Sequence, residues 1–111
     1  NKNLNYSDIW LQFEKNQCEF NFKESNPENM IKLFDIYQDE AITLIDKKLT
    51  FPALDFVLKC SHCFNLLDAR GVISVTDRAQ YIEKIRKLAK EVASSWLEER
   101  ELLKFPLIKQ K

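Results

Sequence analysis

Glycine is almost absent from this sequence, which has one glycine, Gly71, among 111 residues. Since there are also only three prolines, the chain has little material for the tight turns of an all-β fold. A single glycine also excludes the G-x-x-x-x-G-K and G-x-G-x-x-G loops, which wrap nucleotide phosphates in backbone N–H groups. The composition therefore predicts a helical domain that does not by itself use ATP.

Long apolar runs and an excess of one charge are absent too. No run approaches the ~18 residues that span a bilayer, and no signal peptide is visible, so we expect no membrane partner. Three cysteines, an odd number, suggest reduced thiols and a cytoplasmic protein. The net charge is zero, which gives no whole-domain basic footprint for nucleic acid.

The charge is nevertheless divided between the two halves of the chain. Residues 1–55 hold six Lys/Arg against ten Asp/Glu, and residues 56–111 hold eleven against seven. This asymmetry favours halves that pack on each other or a polar partner surface.

The length suits one ordinary domain, residues 1–111, which buries about two-thirds of its unfolded surface without needing disulfides. A hydrophobic share of 45 % and a charged share of 31 % are those of a globular protein. The chain begins at Asn1 with no initiator methionine, so we expect a fragment or an excised domain of a longer chain.

The first half of the chain predicts two helices joined by a linker. Ser7 is the expected N-cap of the first helix. From residue 18 to residue 23 apolar and polar residues alternate, which indicates an extended linker with one docked face or a brief edge strand, and we favour the linker. Asn26 and Pro27 form a strong helix start, as cap and first helical residue. Pro52 is expected to break that second helix and to open the third.

The third helix is apolar nearly all round, which predicts the central and most buried element. Gly71 should end it in the left-handed conformation that glycine adopts without strain. The stretch 64–78 then forms a corner that we expect to be buried. Thr76 is the preferred N-cap of the last helix, and Ser74 is the alternative.

The last helix is the longest and shows a clear apolar seam. The seam comprises Ile82, Ile85, Ala89, Val92 and Trp96, widened by Tyr81 and Leu88. The pair Phe105-Pro106 should stop the helix. A short tail then follows to residue 111, and we expect Phe105, Leu107 and Ile108 to dock it on the domain. The predicted fold is all-α, a small orthogonal or bundle-like array of about four helices.

Two sets of polar residues are candidates for function. One set crowds the corner and comprises Asn65, Asp68, Arg70, Thr76, Asp77 and Arg78. Capping and ion pairing explain these residues better than catalysis, because no nucleophile with an adjacent base completes a site. The other set is basic and could touch phosphates: Lys84, Arg86, Lys87 and Lys90. The acids interspersed among them favour the alternative of a solvated helix face.

The motif Cys60-Ser61-His62-Cys63 has the spacing of a zinc or redox site. A structural zinc site normally needs four ligands, and the remaining candidate thiol is Cys18. We therefore predict no metal site and no catalytic residue here, and interpret the two cysteines as small hydrophobic residues of a buried helix.

A family resemblance rests on the corner and the helix that follows it. The runs that carry the resemblance are Phe64-Asn65-Leu66-Leu67-Asp68-Ala69-Arg70, Ile73-Ser74-Val75-Thr76-Asp77-Arg78, Tyr81-Ile82, Ile85-Arg86 and Leu88. They resemble the C-terminal region of the α subunit of bacterial heterotetrameric glycyl-tRNA synthetase. The likeness extends back to residues 20–22 and forward to residues 105–106.

The resemblance implies a class II synthetase that uses ATP and Mg²⁺ to attach glycine to its tRNA. The expected partners are a β subunit, a second α subunit and, through the assembly, glycine tRNA. The family's catalytic domain lies upstream of the region matched here, so this segment would hold no cofactor and would serve subunit assembly and the positioning of β or tRNA. The alternatives are a free-standing helical protein-interaction module and, less favoured, a zinc or redox protein.

Overall fold

The computed structural model describes the backbone of residues 5–109 and the side chains of residues 5–102. Its elements are, in chain order, α1 (Tyr6–Glu19), a π-helical turn (Phe20–Glu24), α2 (Pro27–Asp46), α3 (Thr50–Arg70) and α4 (Val75–Lys109). The described residues form four α-helices and no strand, which confirms the predicted all-α class.

Helix α1 begins earlier than predicted, because Asn5 rather than Ser7 is its N-cap. The Asn5 side chain accepts a hydrogen bond from the Asp8 backbone N–H at 3.0 Å. The Asp8 carboxylate accepts one from the Asn5 backbone N–H at 3.3 Å. This reciprocal capping box satisfies two backbone donors at once, which a cap at Ser7 could not do with Asp8 as the next residue.

The extended linker predicted for residues 18–23 is wrong. Helix α1 continues to Glu19 and passes directly into the π-helical turn, which the Ser25 N–H closes on the Phe20 carbonyl at 2.9 Å. An extended segment lying outside a sheet would leave its N–H and C=O groups without protein partners, whereas the helical path pairs them. The turn does dock, since it packs against α3.

Helix α2 starts as predicted, with the Asn26 side chain accepting from the Asn29 N–H at 3.2 Å and Pro27 as the first helical residue. Helix α3, however, starts at Thr50, two residues before Pro52. The first N–H groups of a helix have no intrahelical partner, so proline is tolerated at this third position and does not break the helix.

The connection from α2 to α3 is a tight C-terminal turn centred on Lys48. The Lys48 N–H donates to the Ile45 carbonyl at 3.0 Å, and the Leu49 N–H reaches back to the Leu44 carbonyl at 2.9 Å. These two bonds define a Schellman motif. Its left-handed position, normally occupied by glycine, is held by Lys48 at φ = 62°.

Helix α3 is the central element, as predicted, and contacts α2, α4 and the π-helical turn. Its buried residues are Thr50, Ala53, Val57, Cys60, Cys63, Phe64, Leu66 and Leu67. Burial does not extend all round, however, because Leu54 and Leu58 are exposed. From the other helices, Phe34 of α2 and Tyr81 of α4 close the core with an edge-to-face pair whose ring centroids are 4.8 Å apart.

Helix α4 packs through a narrower stripe than its predicted seam. Leu88, Val92 and Ser95 are buried, whereas Ala89 and Trp96 are exposed. A long helix that packs along one side buries only about two residues in every two turns. The polar residue Ser95 is one of these buried residues.

A buried polar contact joins the start of α3 to α4. The Thr50 hydroxyl donates to Glu99 Oε1 at 2.8 Å and lies 3.1 Å from the Ser95 hydroxyl. Each hydroxyl carries one hydrogen, so Ser95 is the donor to Thr50. Each of the two buried hydroxyl hydrogens therefore has an acceptor, which apolar neighbours could not provide.

The corner between α3 and α4 is only partly buried, contrary to prediction. Phe64 and Leu67 lie in the interior, while Val72 is 50 % and Val75 88 % exposed. Gly71 ends α3 as predicted, at φ = 67°. Between the two valines, Ile73 is half-buried and packs against the core, so this segment buries one apolar side chain and leaves two exposed.

At its far end α4 continues through Pro106 to Lys109, so the predicted stop at Phe105-Pro106 is wrong. A proline inside a helix removes one hydrogen bond and strains the preceding turn, which costs free energy but does not force the chain out of the helix. The predicted docking of the tail falls on side chains outside the described residues.

The molecule is elongated, with a radius of gyration of 19.4 Å and extents of 63 × 45 × 19 Å. A compact chain of this length has a radius of gyration of about 13 Å. Helix α1 has no buried residue and, among the described elements, contacts only the π-helical turn. It therefore projects from the array formed by α2, α3 and α4.

Candidate interaction surfaces

The charged residues of the corner tie three elements together. Arg78 Nε of α4 donates to Asp68 Oδ1 of α3 at 3.2 Å, and both side chains are about half exposed. Arg70 Nη1 donates to the Phe22 carbonyl at 3.2 Å, which anchors the π-helical turn on the end of α3. These contacts of Asp68, Arg70 and Arg78 link α3 with α4 and with the π-helical turn.

The N-cap of α4 is Ser74, the alternative in the sequence interpretation. Its hydroxyl accepts from the Asp77 N–H at 3.1 Å, and the Arg78 N–H donates to its carbonyl at 2.9 Å. Thr76, the preferred candidate, lies inside the first turn and is exposed. The Asp77 carboxylate is in that first turn, where negative charge suits the helix dipole.

Two predicted site residues from different sets meet in one open groove between α3 and α4. This α3–α4 groove, of about 330 Å³, is lined by Ser61, Phe64, Asn65, Ile82, Ile85 and Arg86. Phe64 is buried, Ile82 and Ile85 are half-buried, and Asn65 and Arg86 are exposed at the rim. An apolar floor with a polar rim suits an apolar group that carries a polar neighbour.

The basic residues of α4 do not form one continuous surface. Arg86 borders the α3–α4 groove, and Lys84 Nζ lies over the Tyr81 ring, 5.6 Å from its centroid. Lys87 and Lys90 line a second open groove of about 420 Å³. We name it the α2–α4 groove, and its lining comprises Ile45, Lys48, Lys87, Lys90, Glu91, Ser94, Ser95 and Glu98.

Acidic side chains balance much of the positive charge in the α2–α4 groove. Lys48 Nζ forms an ion pair with Glu98 Oε2 at 2.9 Å. Glu91 lies among the lining residues as well. A mixed field of this kind attracts a polyanion less than a basic row would.

The two cysteines of the C-x-x-C motif are buried side by side in α3. Cys60 Sγ donates to the Phe34 carbonyl at 3.8 Å. Burial, and secondarily the neighbouring Cys63 and Asp35, raise the pKa of Cys60 to about 11. Burial also raises the pKa of Cys63. Both thiols are therefore protonated at neutral pH, in the form that neither binds metal nor attacks.

Metal-ligand geometry is not assembled around these thiols. Within the described residues no group of three His, Cys, Asp or Glu side chains is placed to hold a metal ion. His62 is exposed on α3, and Cys18 is exposed on the projecting α1.

Exposed apolar faces are the features that the sequence interpretation missed. On α1, Tyr6, Ile9, Trp10 and Phe13 are each more than half exposed, and Trp10 stacks on Phe13 with ring centroids 5.5 Å apart. On α3, Phe51 and Leu58 are exposed. The available signal was the all-round apolar character of α3, since one of its faces had to lack a partner within a four-helix array.

No helix in the described part of the chain is both long and apolar enough to cross a membrane. A family model of the glycyl-tRNA synthetase alpha subunit matches residues 1–101. The chain belongs to this family. The predicted resemblance is thereby confirmed, and the family is that of a ligase subunit.

The residues that carry the resemblance to the glycyl-tRNA synthetase α subunit lie close together in the fold. The runs that carry it supply five of the six residues around the α3–α4 groove, with Ser61 as the exception. The same runs supply the Asp68–Arg78 ion pair and the Ser74 cap. The sequence signature is therefore concentrated at the junction of α3 and α4.

Proposed function

We propose that this chain is a helical domain of a cytoplasmic glycine-tRNA ligase α subunit, which serves subunit assembly and positions the β subunit or the tRNA. The observation that carries the proposal is the family match over residues 1–101. ATP and Mg²⁺ would act in a catalytic domain elsewhere in the α subunit, and the partners would be β, a second α subunit and glycine tRNA.

The exposed apolar faces of α1 and α3 support a role in assembly. Contiguous apolar surface of this kind marks protein–protein contact sites more often than free surface. The corner supports the same role, because the Asp68–Arg78 pair and the Arg70 contact hold α3, α4 and the π-helical turn in fixed relation. A rigid array of helices can then present its faces to a partner without a large ordering cost.

The test compares the complete α subunit with a variant that lacks residues 5–102. Pull-down measures association with β, and aminoacylation measures charging of glycine tRNA. We expect the deletion to abolish association and to reduce charging at least tenfold. Glycine-dependent ATP–pyrophosphate exchange is the control that the catalytic domain remains folded. Undiminished association and charging would contradict the assembly role.

Direct contact with tRNA phosphates is a second candidate role, favoured by the exposure of Lys84, Arg86, Lys87 and Lys90. Each cation that neutralises a phosphate steepens the salt dependence of binding by about one in the logarithmic slope. Replacing Lys87 and Lys90 with alanine should then reduce that slope by about two in tRNA titrations of the assembled enzyme. An unchanged slope would remove this candidate.

A further inference from the structure

Helix α3 carries a stripe of exposed apolar side chains that α2 and α4 leave uncovered. Phe51, Leu54 and Leu58 are 69 %, 39 % and 59 % exposed. Their spacing of three and four residues puts them on one face, since successive residues are rotated by about 100°. The same spacing places Ser61 and Asn65 on the continuation of that line.

The stripe leads into the α3–α4 groove, because Ser61 and Asn65 belong to the groove lining. We name the stripe and the groove together the α3 docking face. An extended apolar line that ends in a concave site is the shape that accepts an amphipathic helix, with apolar side chains at positions i, i+3 or i+4, and i+7.

The charge of this face is set by Arg86. The charged residues near this face are paired, since Lys59 pairs with Asp55 within α3 and Arg78 of α4 pairs with Asp68 of α3. Arg86 forms no ion pair with any acid among the residues whose side chains the structure describes. A carboxylate from outside would complete it, since the guanidinium group binds carboxylates with two parallel hydrogen bonds.

Within residues 5–102, Arg86 is the one free cation at this face, which favours a protein over a nucleic acid as its partner. RNA binding draws on several cations along the phosphate backbone. Lys87 and Lys90, however, line the α2–α4 groove, and Lys84 lies over the Tyr81 ring. The apolar stripe would then face a strand of sugars and phosphates, which gives it nothing to bury against.

We propose that the α3 docking face binds an amphipathic helix of another protein chain. Its apolar stripe covers Phe51, Leu54 and Leu58, one apolar side chain enters the α3–α4 groove, and a neighbouring Asp or Glu meets Arg86. The inference rests on the proposed function, in which the β subunit supplies that helix.

The experiment measures the affinity of the complete α subunit for the β subunit by titration. The variants are the double change Leu54→Glu with Leu58→Glu, and the single changes Arg86→Glu and Arg86→Lys. Ile36→Glu on α2 is the matched control, because Ile36 is 58 % exposed, close to the 59 % of Leu58. Circular dichroism and thermal unfolding check that each variant keeps the fold, as substitution of exposed residues should allow.

We expect the double variant to weaken β binding by at least about 30-fold, as loss of a central apolar anchor does. Arg86→Glu should weaken it by about tenfold, and Arg86→Lys should weaken it less, because lysine keeps the charge but loses the two parallel hydrogen bonds of the guanidinium group. Ile36→Glu should leave the affinity unchanged.

Unchanged β binding in folded variants would overturn the proposal. If deletion of residues 5–102 still abolished association, the proposed function would stand and only the choice of face would fail. Two further results would also overturn the proposal for the α3 docking face, each of them observed while the affinity of the variants for β is unchanged. One is weaker tRNA binding, which would make the face an RNA surface. The other is lost self-association of the α subunit, which would identify a second copy, through its exposed α1, as the occupant.

Discussion

At the scale of single residues, Lys48 has a backbone conformation that its side-chain type does not favour, and burial raises the pKa of Cys60. Lys48 has a left-handed backbone, which a residue with a Cβ adopts at a cost. Cys60 is fully buried beside a second thiol. In both cases the surrounding helices, rather than the residue, fix the conformation or the protonation state.

Replacing Lys48 with glycine should relieve the strain at φ = 62°, while replacing it with alanine should not. Both changes remove the ion pair with Glu98, whose partners are mostly exposed and contribute little. We therefore expect the Lys48→Gly protein to be more stable than the Lys48→Ala protein by about 1 kcal/mol in urea unfolding. Equal stability of the two variants would show that the turn is not strained.

The raised pKa of Cys60 predicts loss of stability in alkaline solution. Below the usual thiol pKa of 9.0 the group is neutral in both the folded and the unfolded chain, so its contribution is fully present. As pH rises towards about 11, the unfolded chain ionises first and is favoured. The stability difference between the unmodified chain and Cys60→Ala should shrink by on the order of 2 kcal/mol between pH 8 and pH 11.

Urea unfolding at several pH values measures this difference. The alanine variant loses packing at every pH, so only the change with pH reports the thiol. A difference that stayed constant up to pH 11 would show that Cys60 ionises as readily in the folded chain as in the unfolded one.

At the scale of the helix, the first and last residues of each helix were harder to predict than the existence of the helix. Asn26, Pro27 and Gly71 act where the sequence predicted, because the physical requirement is local at each of them. The starts of α1 and α4 depend on which of two nearby side chains reaches the third backbone N–H. The choice fell on Asn5 and Ser74, three residues before an aspartate in each case.

Substitution of Ser74 tests this choice of N-cap directly. Ser74→Ala removes the acceptor for the Asp77 N–H and should destabilise the protein by about 1 kcal/mol. Thr76→Ala, which lies in the first turn, is the matched control and should change the stability by less than about 0.5 kcal/mol. The reverse ranking in thermal or urea unfolding would restore Thr76 as the cap.

At the scale of the whole molecule, the projecting α1 predicts uneven protection of the backbone. A helix of 14 residues with no buried side chain gains little from tertiary packing and is marginal on its own. In the 111-residue chain studied alone, amides of α1 should exchange hydrogen much faster than those of α3. Mass-spectrometric hydrogen exchange measures both helices in one sample, and equal protection would contradict the projecting arrangement.

The candidate surfaces could be predicted from the sequence only in part. Asn65 and Arg86 were identified for separate reasons, and only the packing of α3 on α4 placed them around one groove. The four basic residues looked like one face by their spacing, but the neighbouring helices divide them between two grooves and an aromatic ring. The functional assignment of either set stays a prediction.

The sequence by itself determined the helical class, the central position of α3, the Gly71 terminus and the family. Each of these depends on local backbone preference, on apolar content or on a motif readable from residue order. Only the tertiary structure decided that α1 projects and that a stripe of α3 stays uncovered. It also decided that Ser95, rather than Ala89 or Trp96, joins the buried stripe of α4. The reason is physical: an apolar periodicity shows that a face can be buried, but the number and placement of neighbouring helices determine which faces are.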